Sequence, residues 1–145
     1  MAEEYFVIEK EKHICTITVN RPAQRNAFNT AMWVELADIM QSMAGDEDVR
    51  VAVITGAGDK AFSSGADMAE MLQTTEARAQ QGSDPSLVER ALDTIVNFPN
   101  PVIAMVNGYA LAGGCELAAN CDIRIASENA RFGMPLAKRG ILLNY

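Results

Sequence analysis

The chain has 145 residues, 49% hydrophobic and 21% charged, a composition typical of one globular domain. Its net charge of −7 argues against a nucleic-acid surface, which needs a basic stripe, and no apolar run approaches the ~20 residues of a membrane span. The three cysteines contain no CxxC pair, and the N-terminus has acidic residues where a signal peptide is basic, which together predict a cytoplasmic protein with reduced thiols. The single histidine argues against a histidine-based metal site or triad.

The N-terminal third is predicted to form a hairpin followed by a helix. Residues 5–10 and 14–19 are predicted strands, the second rich in β-branched side chains, with a polar turn between them. A helix is predicted over 30–44, with Asn29 as its N-cap and Gly45 at its end. Its buried face is predicted from the apolar side chains at helical spacing, which are Met32, Leu36, Ile39, Met40 and Met43.

The middle of the chain contains two strands that we expect in a parallel sheet. Residues 51–55 and 102–106 are short, continuous apolar runs, which are typical of strands covered on both faces. A loop over 60–66 follows the first of them and leads into a helix near Asp67. A further helix is predicted to begin around Asp84, because aspartate caps helices and the proline after it favours the first turn.

After the second apolar strand, a glycine-containing turn over 107–114 leads into a helix that is predicted to end near Asn120. A strand over 122–126 follows. This alternation of strands and helices is an α/β pattern. We expect the strands 51–55 and 102–106 to lie side by side, with the loops after both at their carboxyl ends, where α/β sheets place ligands.

The turn into the helix near Asn120 has the chemistry of an anion site. The first turn of a helix carries N–H groups without intrahelical partners and partial positive charge from the helix dipole. Gly113 has no side chain to block a ligand, so its N–H is predicted to bind a developing oxyanion, and Glu116 is a candidate acid/base in the same turn. On these residues alone, an alternative stays open: the glycines only let the helix pack tightly, and Glu116 is an ordinary acid at a helix start.

The loop Phe62-Ser-Ser-Gly-Ala-Asp67 is a second strand-to-helix turn built from small residues. Ala66 can offer another accessible N–H group, and Asp67 is the predicted cap of the next helix. Taken alone, these residues are also ordinary turn material.

Together, these segments match a two-part motif. The run FSSGADM (62–68) resembles the first oxyanion loop of the crotonase superfamily, the enoyl-CoA hydratase/isomerase family, and NGYALAGGCELAANCDI (107–123) resembles its second. NRPAQRNAFN (20–29) resembles the segment where the family binds the nucleotide end of CoA, and ARFGMP (130–135) resembles the edge of its acyl pocket. The four motifs occur in the family's order and spacing, and the resemblance extends over nearly the whole chain.

The resemblance implies an architecture as well as a site. The fold would be α/β, a crotonase-like spiral of ββα units with a parallel-sheet core, and 1–145 would be an acyl-CoA-binding domain lacking the family's C-terminal helical part. The complete protein would be a homo-oligomer, a trimer or a dimer of trimers. No resident cofactor or metal is expected, because CoA is carried by the substrate; nor is a nucleic-acid or membrane partner.

The family's roles transfer to positions of this chain one by one. Ala66 and Gly113 would donate to the thioester oxygen, and Glu116 would activate the water that adds to the double bond. Arg21 and Arg25 are interpreted either as lying near the CoA phosphates or as solvated loop arginines. The resemblance implies substrate contacts from Arg25, Ala27, Ser64, Ala66, Asp67, Met68, Ala69, Gly113 and Leu136.

One position departs from the hydratase pattern. Hydratases of the family have a second glutamate directly after the proline that matches Pro135, and Leu136 stands there in this chain. The predicted enzyme is an enoyl-CoA hydratase or related lyase. The alternatives are an isomerase or decarboxylase that uses the same oxyanion hole, and a catalytically silent acyl-CoA-binding module.

Overall fold

The computed structural model describes residues 4–70 and 86–135. Within them, the strands are β1 (Phe6–Glu11), β2 (Ile14–Val19), β3 (Val51–Gly56), β4 (Ala61–Ser63), β5 (Val102–Val106), β6 (Tyr109–Leu111), β7 (Ile123–Ala126) and β8 (Arg131–Gly133). The helices are α1 (Thr30–Ala44), α2 (Ser86–Val96) and α3 (Gly113–Asn120), and a 3-10 turn, Pro22–Gln24, precedes α1.

A five-stranded sheet in the order β1-β2-β3-β5-β7 forms the framework. β1 and β2 pair antiparallel, with Phe6 opposite Val19, and the other neighbouring strands pair in parallel. β3 and β5 are direct neighbours, with Ala52 opposite Val102. This confirms the expectation that the two apolar strands lie side by side and end at the same edge of the sheet.

Helix α1 begins and buries its apolar face as the sequence predicts. The side-chain oxygen of Asn29 accepts a hydrogen bond from the N–H of Met32 at 2.9 Å, which caps the helix. α1 packs against α2 and shares one core with the sheet. Burying a Leu or Met side chain contributes about 1.5–3 kcal/mol, so packing fixes the position of α1 against the sheet. The buried side chains of α1 are Met32, Trp33, Leu36, Ala37, Met40 and Met43, with Ile39 partly buried beside them.

A second sheet, in the order β4-β6-β8, positions the segments that carry the predicted site. Its strands are all parallel, with Ala61 opposite Tyr109 and Ala110 opposite Phe132. Because parallel strands end at the same edge, the chain leaves β4 toward Ala66 and β6 toward Gly113 on the same side of this sheet.

The structure differs from the sequence-based expectations at the short elements. The strands β4, β6 and β8 lie where the sequence indicates loops and a pocket edge. β1 continues through Lys10 and Glu11, so the hairpin turn contains only Lys12 and His13, with Lys12 in the left-handed region at φ 56°. The predicted helix start around Asp84 lies outside the described residues, and the described part of that helix begins at Ser86.

Candidate active site

The first loop directs the N–H of Ala66 away from its neighbouring chain. Phe28 and Ala66 form a parallel bridge in which Phe28 N–H donates to the Gly65 carbonyl and Asp67 N–H donates to the Phe28 carbonyl, both at 2.8 Å. The N–H groups of an extended chain alternate in direction, so the N–H of Ala66 points to the side opposite Phe28. No acceptor in the described segments takes this N–H.

The second loop turns sharply at Ala112, the N-cap of α3. Its φ of 48° and ψ of −120° form a conformation that a residue with a side chain rarely adopts. The carbonyl of Ala112 accepts from the N–H groups of Cys115 and Glu116 at 2.8 and 3.0 Å. The N–H of Gly113, the first of the helix, has no acceptor within residues 4–70 and 86–135, and the helix dipole adds positive charge there.

The two loops are in direct contact through their glycines. A β-carbon built on Gly65 would lie 2.8 Å from the carbonyl oxygen of Leu111 and 3.2 Å from the nitrogen of Gly113. A β-carbon on Gly113 would lie 3.3 Å from Cζ2 of Trp33, whose ring packs against Phe28 with centroids 4.4 Å apart. The structure therefore brings the loops of both predicted N–H donors together, as an oxyanion hole requires.

Glu116 lies in the first turn of α3, together with Gly113. It follows Gly113 by three residues, so the two lie on the same face of α3. The side chain of Glu116 is half-buried, and its carboxylate forms no hydrogen bond or ion pair with another described residue. Its backbone carbonyl accepts from Nδ2 of Asn120 at 2.9 Å.

Asp67 joins the first loop to the segment 20–29. Its Oδ1 accepts from the N–H groups of Ala69 and Glu70 at 2.9 and 3.4 Å, which confirms Asp67 as the cap of the helical segment that begins at Met68. Its Oδ2 accepts from Nη1 of Arg21 at 2.9 Å. The guanidinium of Arg21 holds the pKa of Asp67 below its ordinary value, assisted by the two backbone N–H groups and opposed by burial.

The structure contradicts one of the two interpretations of Arg21, that of a solvated arginine, while a position near the CoA phosphates stays a prediction. Its side chain is 11% exposed and bonded within the protein, so it is not a solvated loop arginine. The pairing with Asp67 spans 46 positions, and no local pattern in the sequence indicates it. The ring of Tyr5 also lies 5.8 Å from the guanidinium carbon, within the range of a cation–π contact.

Buried Asn26 holds the same segment against the first loop. Its Nδ2 donates to the carbonyls of Ala57 and Ala61 at 3.0 and 2.7 Å, and its Oδ1 accepts from the N–H of Arg21 at 3.0 Å. Its φ of 55° is a left-handed conformation that asparagine tolerates better than most residues. The sequence motif indicates this segment but not the buried network that fixes it.

The remaining predicted contact residues occupy different environments. Arg25 is exposed and lines a cleft of about 320 Å³ with Lys60 and Arg131, two further cations. Ala27 is 7% exposed, and its N–H and carbonyl both bond within the protein. The other four are Ser64, half-buried after β4, Met68 and Ala69, both exposed, and Leu136, which lies outside the described residues.

No helix among residues 4–70 and 86–135 is long and apolar enough to cross a membrane. The same part of the chain contains no group of three or more His, Cys, Asp or Glu side chains arranged to hold a metal ion. The three cysteines, Cys15, Cys115 and Cys121, are unpaired.

Comparison with known proteins identifies the family. The sequence model of the Enoyl-CoA hydratase/isomerase family matches residues 9–144. Among solved structures, an enoyl-CoA hydratase/carnithine racemase from Magnetospirillum magneticum superposes with a TM-score of 0.86 at 34% identity, covering 99% of this chain and 54% of that one. A putative enoyl-CoA hydratase/isomerase (crotonase) from Legionella pneumophila gives a TM-score of 0.87 at 34% identity, covering 95% of this chain and 53% of that one. The fold is the α/β crotonase fold, and the chain belongs to the enoyl-CoA hydratase/isomerase family.

Curated relatives give more particular names. The chain is 41% identical over 141 residues to a crotonyl-CoA hydratase of Syntrophomonas wolfei, covering 97% of this chain and 54% of that protein. It is 44% identical over 137 residues to a short-chain-enoyl-CoA hydratase of Clostridium acetobutylicum, covering 93% of this chain and 51% of that protein. The chain therefore spans about half the length of the curated relatives it matches.

Proposed function

We propose that the complete protein adds water to 2-enoyl-CoA thioesters. The thioester carbonyl binds between the N–H groups of Ala66 and Gly113. When the oxygen of water attacks Cβ, the electrons of the double bond move toward the carbonyl oxygen, which gains negative charge. Each N–H donor contributes about 2.7–4 kcal/mol to the stabilisation of that charge. Glu116 accepts the proton that water loses and, as the one acid/base group of the proposed site, then returns a proton to Cα.

The observation that carries this proposal is the direct contact of the two glycine loops beside Glu116. Gly65 lies against Gly113, each loop contributes one N–H without an acceptor in the described segments, and Glu116 lies one helical turn from Gly113. An oxyanion hole next to a carboxylate suits a carbonyl that gains charge while a proton moves. The names of the hydratase relatives support the same reaction.

Leu136 supports a second candidate reaction. Hydration requires hydroxyl delivery to Cβ and proton delivery to Cα, and leucine can neither donate nor accept a proton. A single carboxylate at Glu116 also suits double-bond isomerisation, in which it removes a proton from one carbon and returns it to another, or decarboxylation over the same oxyanion hole. A silent acyl-CoA-binding module is the third candidate, and Glu116 beside the donors argues against it.

Substrate contacts, assembly and location complete the proposal. Arg25, Ala27, Ser64, Asp67, Met68 and Ala69 surround CoA, and Leu136 borders the acyl group. The protein works without a resident cofactor, because the substrate brings its own CoA. We further propose that 1–145 is the acyl-CoA-binding part of a cytoplasmic homo-oligomer, a trimer or dimer of trimers, which sedimentation at micromolar concentration would test.

Turnover and binding of a short substrate test the function together. The complete protein should hydrate crotonyl-CoA, measured as the loss of enoyl-thioester absorbance. It should also bind crotonyl-CoA more tightly than crotonate, because much of the affinity comes from the nucleotide end. Equal affinities for the two would contradict the site. Isomerisation or decarboxylation of a related thioester without any hydration would favour the second candidate.

A further inference from the structure

Arg21 is bonded to the two segments of the chain that meet at Ala66. A single guanidinium nitrogen, Nη1, donates to the carbonyl of Ala27 at 2.8 Å and to Oδ2 of Asp67 at 2.9 Å. These two acceptors lie on different segments of the chain. Ala27 directly precedes Phe28, and Asp67 directly follows Ala66.

Those two segments are the pair that orients Ala66. Phe28 holds the peptide groups on both sides of Ala66, through its N–H to Gly65 and its carbonyl to Asp67, both at 2.8 Å. The guanidinium therefore closes a ring of hydrogen bonds that runs from Ala27 through Phe28 to Asp67. The N–H of Ala66 is the group whose direction this ring fixes.

The ion pair of Arg21 and Asp67 is largely buried, unlike an ion pair on the surface. The side chains of Arg21 and Asp67 are only 11% and 15% exposed. A charge-assisted hydrogen bond between groups so little exposed is stronger and better directed than one in water, and removing one partner leaves the other buried. The chain contains an exposed counterpart, Arg90 with Asp38 at 3.2 Å, whose side chains are 50% and 62% exposed.

We propose that Arg21 is a positioning residue for the oxyanion hole, acting through Ala27 and Asp67 to aim the N–H of Ala66 at the thioester oxygen. The inference rests on the proposed function, since it needs an acyl-CoA thioester in the site. Preorganised donors depend on supporting residues of this kind, and a displacement of 1 Å can reduce the rate about 100-fold.

The test uses variants of the complete protein and a probe that reports the hole directly. Arg21→Gln removes the charge, Arg21→Lys keeps it but lacks the planar guanidinium, and Arg90→Gln is the matched exposed control. The probe is crotonyl-CoA labelled with ¹³C at its carbonyl, whose infrared stretch falls when the oxygen accepts hydrogen bonds. Free CoA lacks the thioester carbonyl, and its titration by calorimetry gives the number of protein molecules whose nucleotide site is folded.

In Arg21→Gln we expect the carbonyl stretch of bound crotonyl-CoA to move back toward its value in water and kcat per CoA-binding site to fall about 10- to 100-fold. Affinity for free CoA should stay within about twofold of wild type, Arg21→Lys should recover part of kcat, and Arg90→Gln should match wild type.

If Arg21→Gln does not fold, Asp67→Asn, which keeps the shape of the side chain, should show the same return of the carbonyl stretch. A lowered stretch in the wild type that the variant retains would overturn the positioning role. A wild type that does not lower the stretch at all would overturn the proposed function instead.

Discussion

Gly114 lies so close to Ser63 that no side chain fits between them. A β-carbon built on Gly114 would overlap the carbonyl oxygen of Ser63 and lie 2.8 Å from its Cβ. Ser63 ends β4 and Gly114 is the second residue of α3, so this contact sets the distance between the loops that carry Ala66 and Gly113. The glycine pair at the start of α3 thus has two separate roles, an open N–H at Gly113 and close packing at Gly114.

Gly114→Ala should therefore separate the loops. Because the obstructing atom belongs to the backbone, it cannot rotate away, and we expect a loss of about 1–3 kcal/mol in the free energy of unfolding. Turnover should fall by a larger factor than the amount of folded protein does. Gly45→Ala is the matched control, since a β-carbon there meets only the Ser42 carbonyl at 3.8 Å and the backbone is in the right-handed helical region. Denaturant unfolding compares the two variants. Equal stability in both would contradict the packing role of Gly114.

The long elements and the motif residues could be predicted from the sequence, whereas the contacts between distant segments could not. Periodicity and a capping asparagine indicate α1, and apolar runs indicate β3 and β5, because these signals are local. The strands β4, β6 and β8 have three residues each, and pairing with distant chain stabilises them rather than β-propensity. The Arg21–Asp67 pair and the positive φ of Ala112 depend on tertiary packing, so local patterns do not indicate them.

The pair of Arg21 and Asp67 should make stability depend on pH. The pKa of Asp67 lies below its ordinary value of 3.8 because Arg21 donates to it. A depressed pKa in the folded state contributes stability that is present above the ordinary value and is lost as the pH falls through the folded-state pKa. Asp67→Asn should thus be destabilising near neutral pH and approach wild-type stability in acid.

Chemical unfolding between pH 7 and pH 3 measures this difference. Asp38→Asn is the control, because its ion pair with Arg90 is exposed and should contribute little. A difference between wild type and Asp67→Asn that stays constant over the whole range would show that the charge on Asp67 does not stabilise the fold.

The three cysteines should differ in reactivity. Burial raises the pKa of the Cys121 thiol to about 12, and its sulfur donates to the Leu117 carbonyl at 3.3 Å. Cys15 is also buried, with its pKa raised by burial, whereas Cys115 is half-buried. Since the thiolate is the reactive form, iodoacetamide at pH 8 should label Cys115 first and Cys121 only after unfolding. Mass spectrometry of the labelled peptides would give the order, and early labelling of Cys121 would contradict it.

Glu116 should be required for turnover but not for binding. Glu116→Gln keeps the shape of the side chain and removes its ability to take a proton, so kcat for crotonyl-CoA should fall about 10²- to 10⁴-fold. Affinity for crotonyl-CoA should change little, because the backbone donors and the CoA contacts remain. Glu89→Gln is the matched control, since Glu89 is likewise an acid in the first turn of a helix. Near-normal turnover in Glu116→Gln would remove Glu116 from the mechanism.

Leu136 offers a gain-of-function test of the same mechanism. If Glu116 acts without a second carboxylate, one group must both take the proton of water and support delivery of a proton to Cα. Leu136→Glu would place a second carboxylate directly after Pro135, where the hydratases of the family have one, and should raise kcat for hydration of crotonyl-CoA. Leu136→Gln adds polarity without an acid/base group, so it distinguishes an effect on proton transfer from easier entry of water into the pocket. An increase in both variants would indicate better access of water, whereas an increase in Leu136→Glu alone, abolished by adding Glu116→Gln, would show two carboxylates acting together. No increase in either variant would contradict the view that Leu136 limits hydration.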